Sequence, residues 1–247
     1  MYEPPAYLSA MIIGGIAAIA AATCVALYGG AVRAGAGRRR AALLAGSAAL
    51  LLGGWLGASA VIAGHGWYDT RLNRVPWLAV AAVAFLAALL VLGRIPVMAR
   101  TLATAGMVRR LLLPHSFRVI GMFFLVYLAL GHLPALFALP AGLGDITAGI
   151  AATFVARGLA QGSGRRAAWW FNAYGITDLV VASTLGALTG YQLLHVTPSS
   201  AAIGEFPLAL VPTVTVPLLL ALHLTSMPML GRAPRSAPSA AAVCHAA

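Results

Sequence analysis

Residues Leu8–Gly30 read LSAMIIGGIAAIAAATCVALYGG, without one charged side chain, and the chain then turns basic at Arg33, Arg38, Arg39 and Arg40. As a helix rising 1.5 Å per residue, about 20 such residues cross the roughly 30 Å of hydrocarbon in a bilayer. The preceding Met1–Tyr7 carries Glu3 and no basic residue. The apolar run is also too long for the core of a signal peptide, so it reads as an uncleaved first span with its N-terminus outside.

Six further runs follow, at 41–64, 76–92, 116–139, 141–156, 167–188 and 206–229. With 8–30 they predict an all-α, polytopic membrane bundle of about seven transmembrane helices. It forms a single domain over 1–230, followed by a disordered cytoplasmic tail over 231–247 that is rich in Ala, Pro and Ser. Composition agrees: 61% of the 247 residues are apolar and 9% are charged, against about 25% charged in a soluble domain. The lipid bilayer is thus the first expected partner.

The net charge of +11 resides entirely in arginine; there is no lysine. A seven-helix retinal protein is therefore excluded, because its Schiff base needs a lysine amine. The arginines stand in short loops rather than on a basic face interleaved with aromatics, so nucleic acid is not an expected partner. With the N-terminus outside, fourteen arginines fall in inner segments and two, Arg71 and Arg74, in outer ones. That bias places the C-terminus in the cytoplasm and the chain in the cell membrane as a multi-pass protein. Between Arg94 and Arg110, arginines alternate with Ile95, Val97, Met98 and Leu102. This pattern suits either an interfacial amphipathic helix or a solvated loop. Cys24 and Cys244 are too isolated to build a fold on disulfides. His65, His115, His195 and His245 read as loop or tail residues without ligand spacing, so no metal and no cofactor are expected.

Polar residues within a bilayer are costly and point to function. They are rare in the first three runs. The last four hold Arg118, His132, Asp145, Asn172, Asp178 and His223. The first three helices thus look like scaffold and the last four like the working part. Gly142, Asp145 and Gly149 share a helix face, and Ala182 and Gly186 extend the stripe of Asp178; small neighbours let another backbone approach each carboxylate. Pro212 and Pro217 should bend the seventh helix or free its carbonyls. Arg118 reads as starting the fourth helix at the cytoplasmic interface, level with His223. The depth of Asp145 depends on where the fifth helix begins: shallow if at Ala141, level with Asp178 if at Pro134.

Gly142-Leu143-Gly144-Asp145 resembles the Gly-x-Gly-Asp motif of presenilin-like and prepilin-peptidase-like intramembrane aspartyl proteases. That resemblance implies a water-activating dyad with Asp178. The order departs from it, because the second aspartate follows the motif and stands after Thr177. A broader resemblance spans residues 115–230. It is carried by Arg118-x-x-Gly121, Phe137 through Asp145, Trp170-Phe171-Asn172 through Asp178-Leu179, and Phe206-Pro207 through His223. These are similar to a group of uncharacterised multi-helix bacterial membrane proteins, and the Arg-rich, lysine-free composition fits a high-GC bacterium.

The resulting expectation is a small proton- or ion-linked carrier or sensor, binding a small molecule or ion at Asp145, Asp178, Asn172, His223 and Arg118. An intramembrane aspartyl hydrolase using Asp145 and Asp178, and a non-catalytic assembly subunit, are the alternatives. Helices four to seven should form a bundle with Asp145, Asn172, Asp178 and His223 turned inward. Asn172 and Asp178 stand about 120° apart around their helix, which predicts contact on two sides and a central sixth helix.

Overall fold

A computed structural model describes residues 5–73 and 75–231. Among these residues the chain is helical, with no strand. The expected disordered tail lies outside the described residues, apart from Gly231. Helices α1 (Ala6–Arg33) and α2 (Gly37–Gly64) form a hairpin. Its corner is a Schellman turn: Gly35, at φ +79°, donates to Val32 O at 3.1 Å and Ala36 to Ala31 O at 3.1 Å. Helix α3 (Trp77–Leu92) is followed by the short α4 (Pro96–Leu102), bent 83° from it. Then come α5 (Met107–Leu112), a 3-10 segment (Leu113–Gly121) and α6 (Met122–Ala129), which run on as one span. Helices α7 (Ala135–Ala160) and α8 (Arg165–Gly190) follow. A loop with a 3-10 turn (Ser200–Gly204) leads to a π-helical turn (Val211–Thr215) and α9 (Val216–Gly231).

Five helices are long and apolar enough to cross a membrane, and six if the bent α3–α4 pair counts as one span. The sixth expected span, α8, is not among them, although it has 26 residues. Its Arg165, Arg166, Asn172 and Asp178 lower its mean hydropathy.

Several expected boundaries move. The fourth run does not begin at Ser116 but at Met107, so Arg109 and Arg110 belong to the first turns of a span rather than to an interfacial helix. Only Pro96–Leu102 forms a separate short helix there. Of the two starts open for the fifth helix, Pro134 and not Ala141 is the one found. Gly131, at φ +75°, ends α6, and Pro134 caps α7 in an extended conformation (ψ 144°). Pro140 sits inside α7, early enough that it removes one intrahelical bond without ending the helix.

The centre of the bundle is the π turn with α9, not the sixth helix. Residues 211–231 pack against α1, α2, α3, α5 and α8. Helix α8 is indeed contacted on two sides, by α7 and α9, but its remaining face carries the exposed Trp169, Trp170 and Val181. Pro217 explains part of this centrality. It has no N–H to give the carbonyl of Thr213, four residues back. Trp55 Nε1 of α2 donates to that oxygen at 2.8 Å, and Ser59 Oγ pairs with Thr213 Oγ1 at 2.6 Å.

Candidate functional site

A three-residue repeat builds the site. Side chains three apart eclipse one another in a 3-10 helix. His115, Arg118 and Gly121 therefore stand in one column, and all three are buried. Helix α7 crosses this column on glycines: a Cβ at Gly149 would stand 2.6 Å from Val119 N, and one at Gly142 would stand 3.4 Å from Gly121 O. The close crossing brings Asp145 to Arg118, whose Nε donates to Asp145 Oδ1 at 2.8 Å, with Nη2 in an ion pair 2.7 Å from the same oxygen. Nη2 donates to Asp178 Oδ2 of α8. One guanidinium thus holds both carboxylates, and the arginine side chain is 1% exposed.

Glycines make room for each group. A Cβ at Gly121 would collide with Asp145, one at Gly144 with Asp178, and one at Gly175 with the imidazole of His223. The Gly142–Asp145–Gly149 stripe does admit a neighbouring backbone. The glycine that admits Asp178 is Gly144 on the facing helix.

Arg118 therefore lies midway along its span, between two carboxylates, and is not an interfacial anchor. It does not belong with the loop arginines. Asp145 is not shallow: because α7 starts after Pro134, Asp145 reaches the level of Asp178.

A second polar set adjoins the first. Asn172 Nδ2 donates to Ala168 O at 2.7 Å, which turns Oδ1 towards α9. That oxygen accepts from Ser226 Oγ at 2.7 Å and from His223 Nδ1 at 2.8 Å, so His223 carries its proton on Nδ1. The His115 ring lies 4.0 Å from that of His223, centroid to centroid, and edge-on to Phe171 at 5.5 Å. Sequence reading missed His115 because it stands beside Pro114, ahead of the assumed helix start. Its spacing of three from Arg118 is the signal that finds it. His132 joins neither set.

Asp145 and Asp178 also line a cavity of about 330 Å³ between α3, α8 and α9. Its walls are mainly apolar, including Ala82 and Leu86 of α3, Ala182 of α8 and Leu220 of α9. Its mouth lies between α3 and α8, beside the exposed Val83 and Thr184.

At the end of the bundle that carries the α2–α3 loop, another arginine holds two carboxylates. Arg71 bonds Asp69 Oδ2 at 2.9 Å and also pairs with Glu205. Burial alone would raise the Asp69 carboxyl, but hydrogen bonds from the Arg71 side chain and backbone outweigh it and hold the group below its ordinary value. The hydrogen bond to Asp69 likewise raises Arg71 above its ordinary value.

Fold and site together define an all-helical bundle with a buried ionic centre at the foot of an apolar cavity. The chain belongs to a family described as a domain of unknown function, DUF8737, whose family model matches residues 75–231. The match starts before α3, so α3, which the sequence assigns to the scaffold, falls with the site-bearing helices. No curated protein and no solved structure matches the chain.

Proposed function

We propose that this chain is a multi-pass cell-membrane protein of seven spans, with its N-terminus outside and its C-terminus in the cytoplasm. It acts as a small proton- or ion-linked carrier or sensor. With Arg118 set apart, this orientation leaves thirteen arginines inside and two outside.

One observation carries the functional reading: a single guanidinium faces two carboxylates midway along the bundle. The three full charges sum to −1. A surplus charge in a medium of low dielectric constant is met by a proton or a cation. Asp145 and Asp178 line a cavity while Arg118 does not, so the exchangeable position faces that cavity. The His223–Asn172–Ser226 set extends the polar column along α8 and α9.

The test is proton exchange by purified protein in lipid vesicles under an imposed pH gradient, read with an entrapped pH dye. Wild type is expected to pass or bind protons in a pH-dependent way, and Asp178→Asn to lose this. If Asp178→Asn and His223→Ala behave as wild type, the reading fails.

The hydrolase alternative has proximity in its favour, since both carboxylates bond one nitrogen and so lie within roughly 6 Å of each other. Against it, a cation bridges the two carboxylates where a dyad holds its shared water. Cleavage of a helical membrane peptide, abolished by Asp145→Asn, would reverse that judgement. A stoichiometric partner recovered in mild detergent would favour the assembly subunit.

A further inference from the structure

The geometry points to a ligand class for this cavity: a small monovalent organic cation, an ammonium carried on an apolar body. Its charge lies against Asp145 and Asp178 and its body fills the space between α3 and α8. This rests on the carrier or sensor reading and names the substrate of that same site.

The order of groups matters first. Asp145 and Asp178 line the cavity, while Arg118 stands behind them and lines none of it. A ligand therefore meets acceptors that are already half-neutralised, with one negative charge left over. An anion would meet that surplus charge from the wrong side. A neutral ligand would leave it uncompensated.

The walls decide the rest. Around the carboxylates stand Leu78, Ala82 and Leu86 of α3, Ala182 and Gly186 of α8, and Leu220 of α9. Among the described residues no other charged side chain lines the cavity. Beyond the two carboxylates the lining offers a bare metal ion only the hydroxyls of Thr70, Ser183, Thr184, Tyr191 and Ser200, three of them already hydrogen-bonded within the protein, a poor match to the six or more oxygens that hard cations take. An ammonium needs fewer acceptors and brings its own apolar surface. The volume of about 330 Å³ suits a small organic molecule, being at the lower end of the roughly 300–1,000 Å³ usual for such sites. The mouth is flanked by Val83, which is 66% exposed, and by Thr184. In the membrane reading this gap faces lipid, so an amphiphilic amine dissolved in the bilayer reaches the carboxylates sideways.

A proton and an ammonium neutralise the same surplus charge, so they exclude each other. The other ionisable groups about the pair are Arg118 and His115 on the 3-10 segment, Tyr174 on α8 and His223 on α9. Helix α3 presents none to the cavity. Binding of the cation should therefore weaken as pH falls, by up to tenfold per unit where the pair titrates. This competition is also what an exchange of one cation for one proton requires.

Three probes of one shape test this: 1-aminoadamantane, 1-adamantanol and 1-adamantanecarboxylate, measured by calorimetry on the full chain in lipid nanodiscs. The amine remains charged from about pH 5 to 8. Wild type is expected to bind the amine at least tenfold more tightly than the alcohol, with the carboxylate weakest. Asp178→Asn should bring the amine down to the level of the alcohol, and Ala82→Trp should weaken amine and alcohol together. The alcohol matching the amine in wild type, the carboxylate binding best, or amine affinity that does not change with pH would each overturn the proposal. These comparisons need no variant, so a poorly folding mutant does not block them. Amine binding without proton exchange would keep the ligand class and sink the proton-linked reading. Proton exchange that no amine competes with would do the reverse.

Discussion

Arg71 and Arg118 each hold two carboxylates, and together they engage all four carboxylates among the described residues. The stoichiometry is the same and all four carboxylates are largely buried, but the two arginines stand in opposite surroundings. The Arg71 side chain is 54% exposed and joins the α2–α3 loop to the segment before α9. Arg118 is 1% exposed and joins the 3-10 segment to α7 and α8. Water reaches the Arg71 guanidinium and screens its pairs, whereas the Arg118 guanidinium is closed off from it. In the proposed reading a proton or a ligand meets the leftover charge at Arg118, so the burial of the cation, not the charge count, tells the two clusters apart.

The widest gap between the two clusters should come from removing the arginines themselves. Arg118→Gln leaves two carboxylates buried beside each other and is expected to destabilise the protein by about 3–5 kcal/mol. Arg71→Gln is expected to cost about 1 kcal/mol or less. Unfolding midpoints in one detergent decide the matter, and equal losses would erase the distinction drawn here. A smaller effect concerns the space around the buried cluster. Gly144→Ala drives a Cβ into the Asp178 carboxylate and should cost about 1–3 kcal/mol. Gly57→Ala, with nothing within 4 Å, should stabilise α2 by up to about 1 kcal/mol through helix propensity alone. If both substitutions have the same sign, the tight seat of Asp178 is in doubt.

The smallest effect is acid loosening of the surface cluster. The folded Asp69 carboxyl lies below its unfolded value. Its contribution to stability is therefore complete above about pH 4 and is lost as pH falls through the folded value. Protection factors over residues 65–73, taken against the intrinsic exchange rate at each pH, should fall on going from pH 5 to pH 3, and Asp69→Asn should flatten that response. An unchanged profile in the variant would remove Asp69 as the cause.

Much of the bundle was legible in the sequence because apolar runs of span length leave few other folds open. The ends of the runs were not. Proline and glycine are common in this chain, and hydropathy cannot tell Pro134, which caps a helix, from Pro140, which sits inside one. That ambiguity hid the level of Asp145. Arg118 was misplaced for a related reason. An arginine near the start of an apolar run looks like an interface residue unless the span is known to begin earlier, at Met107. His115 was lost with it. The central place of α9 was illegible because it depends on a carbonyl freed by Pro217 and on a tryptophan 158 residues away. Hydropathy patterns do not carry pairings of that range.

That freed carbonyl also bears on biosynthesis. Helix α2 buries few side chains of its own: Ala41, Leu52, Ser59 and Ala63. Two of its side chains with hydrogen-bonding groups, Trp55 and Ser59, find partners at Thr213. A ribosome making this chain therefore releases α2, into the membrane in the proposed reading, long before its partner exists. The early hairpin waits, with an indole N–H and a hydroxyl not yet in their final bonds, until the last helix emerges and draws α2 onto the bundle. A nascent protein stalled before residue 213 would hold its second helix through α1 and through the stack of Trp55 on Phe85 of α3, without the two bonds to Thr213.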